Sequence, residues 1–323
     1  MKINRVEKLA LDIRRATETE DSTSASGLQD EAIVEILNRG QARLYSRLHS
    51  KFPDDYKTEY TVSSVTGTSS YTIPDIAFLN NSIEMVEYSD DSGNNWYRLT
   101  PRTIHSRSTD ESNTGNPEIY IIQNNSIILS PTPSLSGTNN IRITYNKASR
   151  ELDFRRGHIT TATLSGTTLQ TLTLTDPSTL NTKDVNLDDK SEAVLKTVDF
   201  ICIIDENGTS VLDFIPVDDY NITTRVLTVS AGFTTSLSSG TLESNYIVSG
   251  YYATSHSELP KNYERYLLAF AESEILARDG NEFESMRKLN EVRAYEKDIM
   301  NTSSQKSDVI DTPLDSHWWD TDV

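Results

Sequence analysis

The amino-acid sequence predicts an α+β protein: a discontinuous helical bundle made of N- and C-terminal helices, a β-rich middle, and an inserted β-sandwich or barrel-like domain. Three observations predict this. Apolar residues recur at three- and four-residue steps near both ends of the chain, the period falls to two between them, and about a hundred residues of strand-forming sequence precede the last helices. The expected boundaries are helices in 1–57, a β-rich segment in 58–150, the insertion in 151–257, a helix hairpin in 258–301 and an extended arm in 302–323.

The C-terminal hairpin has the clearest punctuation. Ser257 and Glu258 suit a helix N-terminus, and Pro260 sits where a missing N–H costs nothing. Tyr263, Leu267, Leu268, Phe270, Ala271 and Ile275 then form an apolar stripe. Arg278-Asp279-Gly280-Asn281 supplies a cation near the helix end and a glycine able to take the left-handed conformation. Phe283, Met286, Leu289, Val292 and Ile299 read as the stripe of a second helix. Two such helices cannot bury their stripes alone, so a partner is required.

The N-terminal segment supplies it. Ile3, Val6, Leu9, Ala10 and Ile13 share one face of a helix over residues 2–16, and 17–27 reads as a polar loop. Asp30 is a fitting N-cap for a second helix carrying Ile33, Ile36, Leu37, Leu44, Tyr45 and Leu48, closed by Pro53.

The middle reads as strands. Tyr60–Val65 and Ser70–Pro74, separated by Thr66-Gly67-Thr68, predict a hairpin. Residues 83–88 and 96–99 flank the acidic turn Asp90–Asn95, which lacks the spacing of a calcium loop. Arg102–Arg107 predicts a short helical turn, 119–122 and 126–129 a compact hairpin, and 141–145 an alternating strand. In the insertion, the apolar run 198–204 predicts a central strand, Asn207-Gly208 a turn, and 211–215, 226–229 and 246–249 further strands. The basic stretch Arg150–Arg156 reads as a linker at the edge of the insertion rather than a DNA contact.

The composition narrows the function. The 323 residues carry 48 acidic against 30 basic side chains, a formal charge of −18, which opposes tight wrapping of nucleic acid. No apolar run reaches the roughly 20 residues of a membrane span, and no secretory signal is read at the N-terminus. One cysteine, Cys202, in an apolar run, reads as an inert core thiol. His49, His105, His158, His256 and His317 are scattered, Asp188-Asp189 and Asp218-Asp219 read as solvated turns, and no nucleophile or phosphate-binding motif occurs. The expectation is no catalytic residue, no metal and no cofactor. The polar tail is different, because Pro313, Leu314, His317, Trp318 and Trp319 place two adjacent tryptophans, a hot-spot residue type, in a segment with little else to bury.

The order of these elements resembles the head–tail adaptor (connector) proteins of tailed bacteriophages. Leu28–Glu31 leading to Ile36-Leu37-Asn38-Arg39-Gly40-Gln41 is similar to the family's second helix. Gly115-Asn116-Pro117-Glu118-Ile119-Tyr120, Ile127–Pro133 and Ile141–Tyr145 are similar to its strand run, and Leu259–Gly280 to its helix hairpin. The insertion departs from that pattern. The resemblance implies a structural virion protein of the neck, assembled in the host cytoplasm. It implies a ring, usually of twelve copies, beneath the portal, through which dsDNA passes without specific binding. It also implies docking to tail nozzle, tail tube or tail-fibre proteins, with Pro313, Leu314, His317, Trp318 and Trp319 as an arm reaching a portal subunit. The alternative is a tail-fibre-associated or carbohydrate-binding β-module. Against it, residues 151–257 contain no tryptophan.

Overall fold

The computed structural model describes residues 5–17, 30–73, 83–91, 93–103, 113–123, 126–175, 193–260 and 263–307. The protein is mixed α+β, with helices toward both ends and strands between. It divides into two compact units, one formed by Met1–Arg47 with Ser149–Val323 and the other by Leu48–Ala148.

Helix α1 spans Val6–Thr17 and buries Val6, Leu9, Ala10 and Ile13, the face expected from its spacing. Helix α2 spans Asp30–Lys51 and buries Ile33, Ile36, Leu37, Leu44 and Leu48. A 3-10 turn over Pro53–Tyr56 follows, because Pro53 cannot continue the i to i−4 bonding.

Among its described residues, the unit of residues 48–148 holds ten strands. They are β1 (Lys57–Ser64), β2 (Ser70–Thr72), β3 (Ile83–Tyr88), β4 (Tyr97–Arg98), β5 (Thr100–Arg102), β6 (Thr114–Gly115), β7 (Ile119–Gln123), β8 (Ser126–Ser130), β9 (Thr132–Pro133) and β10 (Gly137–Asn146). One sheet has the order β1-β10-β3-β4 and another β2-β8-β7-β5, with β6 and β9 forming a small parallel pair. The two four-stranded sheets share a core. Val86, Tyr88, Ile141, Ile143 and Tyr145 come from the first, and Tyr71, Tyr120, Ile127 and Leu129 from the second.

The expected hairpin of 60–65 with 70–74 does not form. β1 pairs with β10 and β2 with β8, so the five residues between β1 and β2 carry the chain from one sheet to the other. The Tyr71 hydroxyl, donating to the Thr68 carbonyl at 2.6 Å, fixes this arch, and Gly67 supplies its positive φ of 78°. The β3–β4 and β7–β8 hairpins form as expected. Between β3 and β4, Asp91 organises the turn by accepting from the Ser89 hydroxyl at 2.8 Å and from the Asn94 and Asn95 amides. These bonds, led by the Asn95 amide, hold its carboxyl below the usual range. Arg102 ends β5, and the rest of the predicted 102–107 turn, apart from Thr103, lies outside the described residues.

The other unit contains β11 (Glu151–Leu152), β12 (Arg155–Ser165), β13 (Thr168–Leu174), β14 (Phe200–Ile204), β15 (Ser210–Asn221), β16 (Val226–Val229), a one-turn helix α3 (Ser239–Leu242), β17 (Tyr246–Ser249) and β18 (Ala253–Thr254). Six of these strands close a barrel in the order β12-β13-β16-β15-β14-β17. Two long strands make the corners. β12 pairs with β17 through 155–158 and with β13 through 159–165, and β15 pairs first with β14 and then with β16. Register shifts interrupt both, and Phe214, at the middle of β15, has φ of 59°. Such bulges are what bend a strand between two faces. Ile159, Leu172, Ile201, Ile203, Ile215, Leu227 and Ile247 fill the interior. The strand expected in 198–204 forms over Phe200–Ile204 as β14, paired on one side with β15 and on the other with β17. Asp218 and Asp219, expected in a turn, are exposed residues of β15, where Asp218 accepts from the Ser230 hydroxyl. Asp188 and Asp189 lie outside the described residues.

Helix α4 spans Glu264–Arg278 and α5 spans Glu282–Ser307, joined at Gly280, whose φ is 78°. They form the expected helix hairpin, but α4 starts at Glu264 rather than near Pro260, because Ser257 and Glu258 bond Gln41 and Arg150 instead of capping it, and α5 runs past the residue 301 at which it was expected to end. α4 buries Tyr263, just before its start, and then Tyr266, Leu267, Phe270, Ala271 and Ile275. The stripe expected for α5 is not one face. At about 100° per residue, Phe283 lies about 180° round the helix from Val292, and Met286 about 120°. The line that meets α4 is Ser285, Lys288, Val292, Glu296 and Ile299, whereas Phe283 and Met286 are 80% and 53% exposed.

Candidate functional site

The most elaborate polar construction in the molecule lies where the helices meet the barrel, within the unit formed by 1–47 and 149–323. It begins on α2. Asn38 donates its side-chain amide to the Leu152 carbonyl at 3.0 Å and accepts the Leu152 amide at 2.7 Å. A side chain that pairs with both backbone groups of one residue acts as a short strand partner. One turn on, Gln41 donates to the Arg150 carbonyl at 2.7 Å and accepts from the Ser257 hydroxyl at 2.8 Å. Between them Gly40 lies against Phe270 of α4; a Cβ there would stand 2.8 Å from the ring. The sequence Asn38-Arg39-Gly40-Gln41 thus holds two backbone segments of the barrel edge and one helix at once.

The gripped segment carries three arginines of the stretch expected to be a linker. They are neither linker nor DNA contact, because all three are buried: Arg150 at 8% exposure, Arg155 at 1% and Arg156 at 3%. Arg150 forms a bidentate pair with Asp213 of β15 at 2.7 and 2.5 Å, and stacks over Tyr252 at 4.1 Å. Burial disfavours its charge, but Asp213 outweighs that and holds its pKa above the free guanidinium value. Arg155 donates to Glu7 of α1 at 3.1 Å and lies over Tyr246. Arg156 grips Asp153 at 2.6 and 3.0 Å and approaches Glu31 of α2 at 3.6 Å. Asp153 also accepts the Ser249 amide and hydroxyl. Buried charges persist only when paired in this way. A signal was available in the sequence: cations at 150, 155 and 156 interleaved with acids at 151 and 153 suit internal pairing better than a phosphate-binding surface.

His256 completes the joint. It is 5% exposed, contacts Ser255 at 2.9 Å, and packs so closely on Gly208 that a Cβ at that glycine would lie 2.3 Å from its Nδ1. Burial first, then the cations of Arg155 and Arg5, pushes its pKa down to about 4. A second buried charge joins the helices: Glu296 of α5 meets Arg43 at 2.9 Å and Arg47 at 2.5 Å from α2, and Tyr266 at 3.4 Å from α4. Lys8 of α1 pairs with Glu264 of α4 at 3.3 Å.

Among the described residues no group of three or more His, Cys, Asp or Glu could hold a metal ion. Cys202 is buried, and burial pushes its thiol up to about 11, so it is the inert core thiol expected. His158 contacts Thr175 at 3.0 Å and the Tyr246 ring, and His49 packs near Tyr56. His105 lies outside the described residues, as do the proposed partner-binding residues Pro313, Leu314, His317, Trp318 and Trp319. No helix among the described residues is long and apolar enough to cross a membrane.

Residues 3–155, just under half of the 323, match the family model described as SU10 adaptor protein. No curated protein matches the chain. The matched stretch contains α1, α2, the whole 48–148 unit and the gripped segment 150–155, and it ends at the first residue of β12. Over residues 3–155, with its two N-terminal helices and paired sheets, the chain is similar to the SU10 adaptor protein family, a family of phage head–tail adaptors.

Proposed function

We propose that the protein is a structural, non-catalytic head-to-tail adaptor that forms a ring, of twelve copies in the family pattern, beneath the portal, extends the DNA channel and docks tail components. The observation that carries this reading is the family match over 3–155. In this reading α1, α2, α4 and α5 act together as the discontinuous bundle from which the ring is built. The ion pairs Lys8–Glu264, Arg39–Glu274 and Arg43–Glu296 support it by tying the first helices to the last. The barrel, beyond the matched residues, is an added module that meets nozzle, tube or fibre proteins. The segment 308–323, with Trp318 and Trp319, is the arm that reaches a portal subunit. The formal charge of −18 per chain suits a channel wall to which DNA does not adhere.

The test is mass measurement and electron microscopy of the full chain, alone and mixed with portal protein. A ring on the portal is expected, and a chain that stays monomeric in both conditions overturns the reading. Removing 308–323 leaves α5 intact and is expected to abolish docking while preserving the fold; unchanged docking assigns the portal contact elsewhere.

A further inference from the structure

Among the described residues of the helices, three large apolar side chains are prominently exposed: Leu11 of α1 at 46%, and Phe283 and Met286 of α5 at 80% and 53%. They form two separate sites. Leu11 lies on the side of α1 turned away from Val6, Leu9 and Ile13. Phe283 and Met286 lie on the side of α5 turned away from Val292 and Ile299, in its first two turns. The intervening helix keeps them apart. Lys8, one turn before Leu11, pairs with Glu264 in the first turn of α4, while Phe283 follows the last turn of α4 at Arg278. Fifteen residues of helix span about 22 Å. Neither site can cover the other within one chain.

Their surroundings differ in sign. Leu11 is flanked within one turn by Lys8, Arg14 and Arg15 against Glu7 and Asp12, and Lys8, 58% exposed, pairs with Asp12 at 3.7 Å. Phe283 and Met286 are flanked by Glu282 and Glu284 against Arg287 and Lys288, with Arg287 already paired to Glu284 at 2.7 Å and to Glu291 at 3.8 Å, and Lys288 to Glu272 at 2.7 Å. Two copies of a chain with formal charge −18 repel unless their contact is locally apolar or of opposite sign, and this pair of sites is both. Phe and Met are also residue types enriched in interface cores.

We infer that the outer face of α1 around Leu11 in one copy docks on the Phe283–Met286 face of α5 in the next. This contact is heterologous: each copy offers one site forward and another backward, the arrangement that generates a closed ring when the rotation permits. The inference rests on the ring reading above and names the two surfaces that would make it.

Cysteine crosslinking tests it on the full chain, alone and with portal protein. The native thiol, Cys202, is buried and does not compete. The double variant Leu11→Cys with Met286→Cys is expected to give a ladder of covalent multimers on mild oxidation, whereas either single variant gives none beyond dimers. Phe283→Asp, at a site 80% exposed, is expected to keep the wild-type melting temperature and to weaken self-association at least tenfold. If the wild type assembles but no ladder forms and Phe283→Asp assembles normally, these surfaces are wrong and the ring reading stands. If the wild type never assembles, both fail.

Discussion

Arg155 is the residue on which the joint between helices and barrel most depends. It is 1% exposed, and its carboxylate partner Glu7 belongs to α1, 148 positions earlier. Removing one member of a buried pair leaves an uncompensated charge, so Arg155→Met is expected to destabilise the protein by about 3 kcal/mol in urea unfolding. The double variant Arg155→Met with Glu7→Gln should recover part of that loss. A double variant as unstable as the sum of the single losses would show that the two side chains act independently. His256 gives a pH dependence at the same joint. Its folded pKa, about 4, lies below the value of about 6.5 in the unfolded chain. The unfolded state therefore binds more protons between those values. Stability is full above about pH 6.5 and falls as the pH drops toward 4. The groups acting on the ring are Arg155, Arg5 and Asp205. Melting temperatures of the wild type and His256→Gln between pH 7 and 4.5 should show the smaller acid-dependent fall in the variant; parallel curves would remove His256 from the account.

At the scale of elements, the α2–α4 crossing depends on an atom that is absent. Gly40→Ala raises helix propensity by about 1 kcal/mol. The new Cβ, however, would stand 2.8 Å from the Phe270 ring, itself 6% exposed. Overpacking outweighs propensity here, and a net loss of about 1–2 kcal/mol is expected. Phe270→Leu should cost less in the Gly40→Ala background than alone, as chemical denaturation would show. The same element shows what was legible beforehand. Ile33, Ile36, Leu37, Leu44 and Leu48 could be read from the spacing because burial of an amphipathic helix repeats every three or four residues. Asn38 and Gln41 could not, because the carbonyls they meet, at Leu152 and Arg150, are more than a hundred positions away. On α5 the five apolar residues do not share a face, because Phe283 and Val292 are half a turn out of phase.

At the scale of the whole molecule, the two units have separate cores. Tyr88, Ile143 and their neighbours fill one, and Ile201, Ile215 and Leu227 fill the barrel in the other. Ile143→Ala removes most of a fully buried side chain and is expected to cost about 3 kcal/mol. In calorimetry it should lower one transition and leave a second in place; a single transition displaced as a whole would show that the units unfold together.

Local periodicity fixed much by itself: the four long helices, the face that α1 and α4 bury, the β3–β4 and β7–β8 hairpins, the central place of 200–204, and the burial of Cys202. These follow from the spacing of apolar residues and from turn chemistry, which act over a few positions. Only the tertiary structure decided that β1 pairs with β10 rather than β2, that the insertion closes as a barrel, that Arg150, Arg155 and Arg156 are buried ion-pair partners, and that Phe283 and Met286 face outward. Each of those depends on contacts between residues far apart in the chain, or on the phase of one helix against another, and local pattern carries neither.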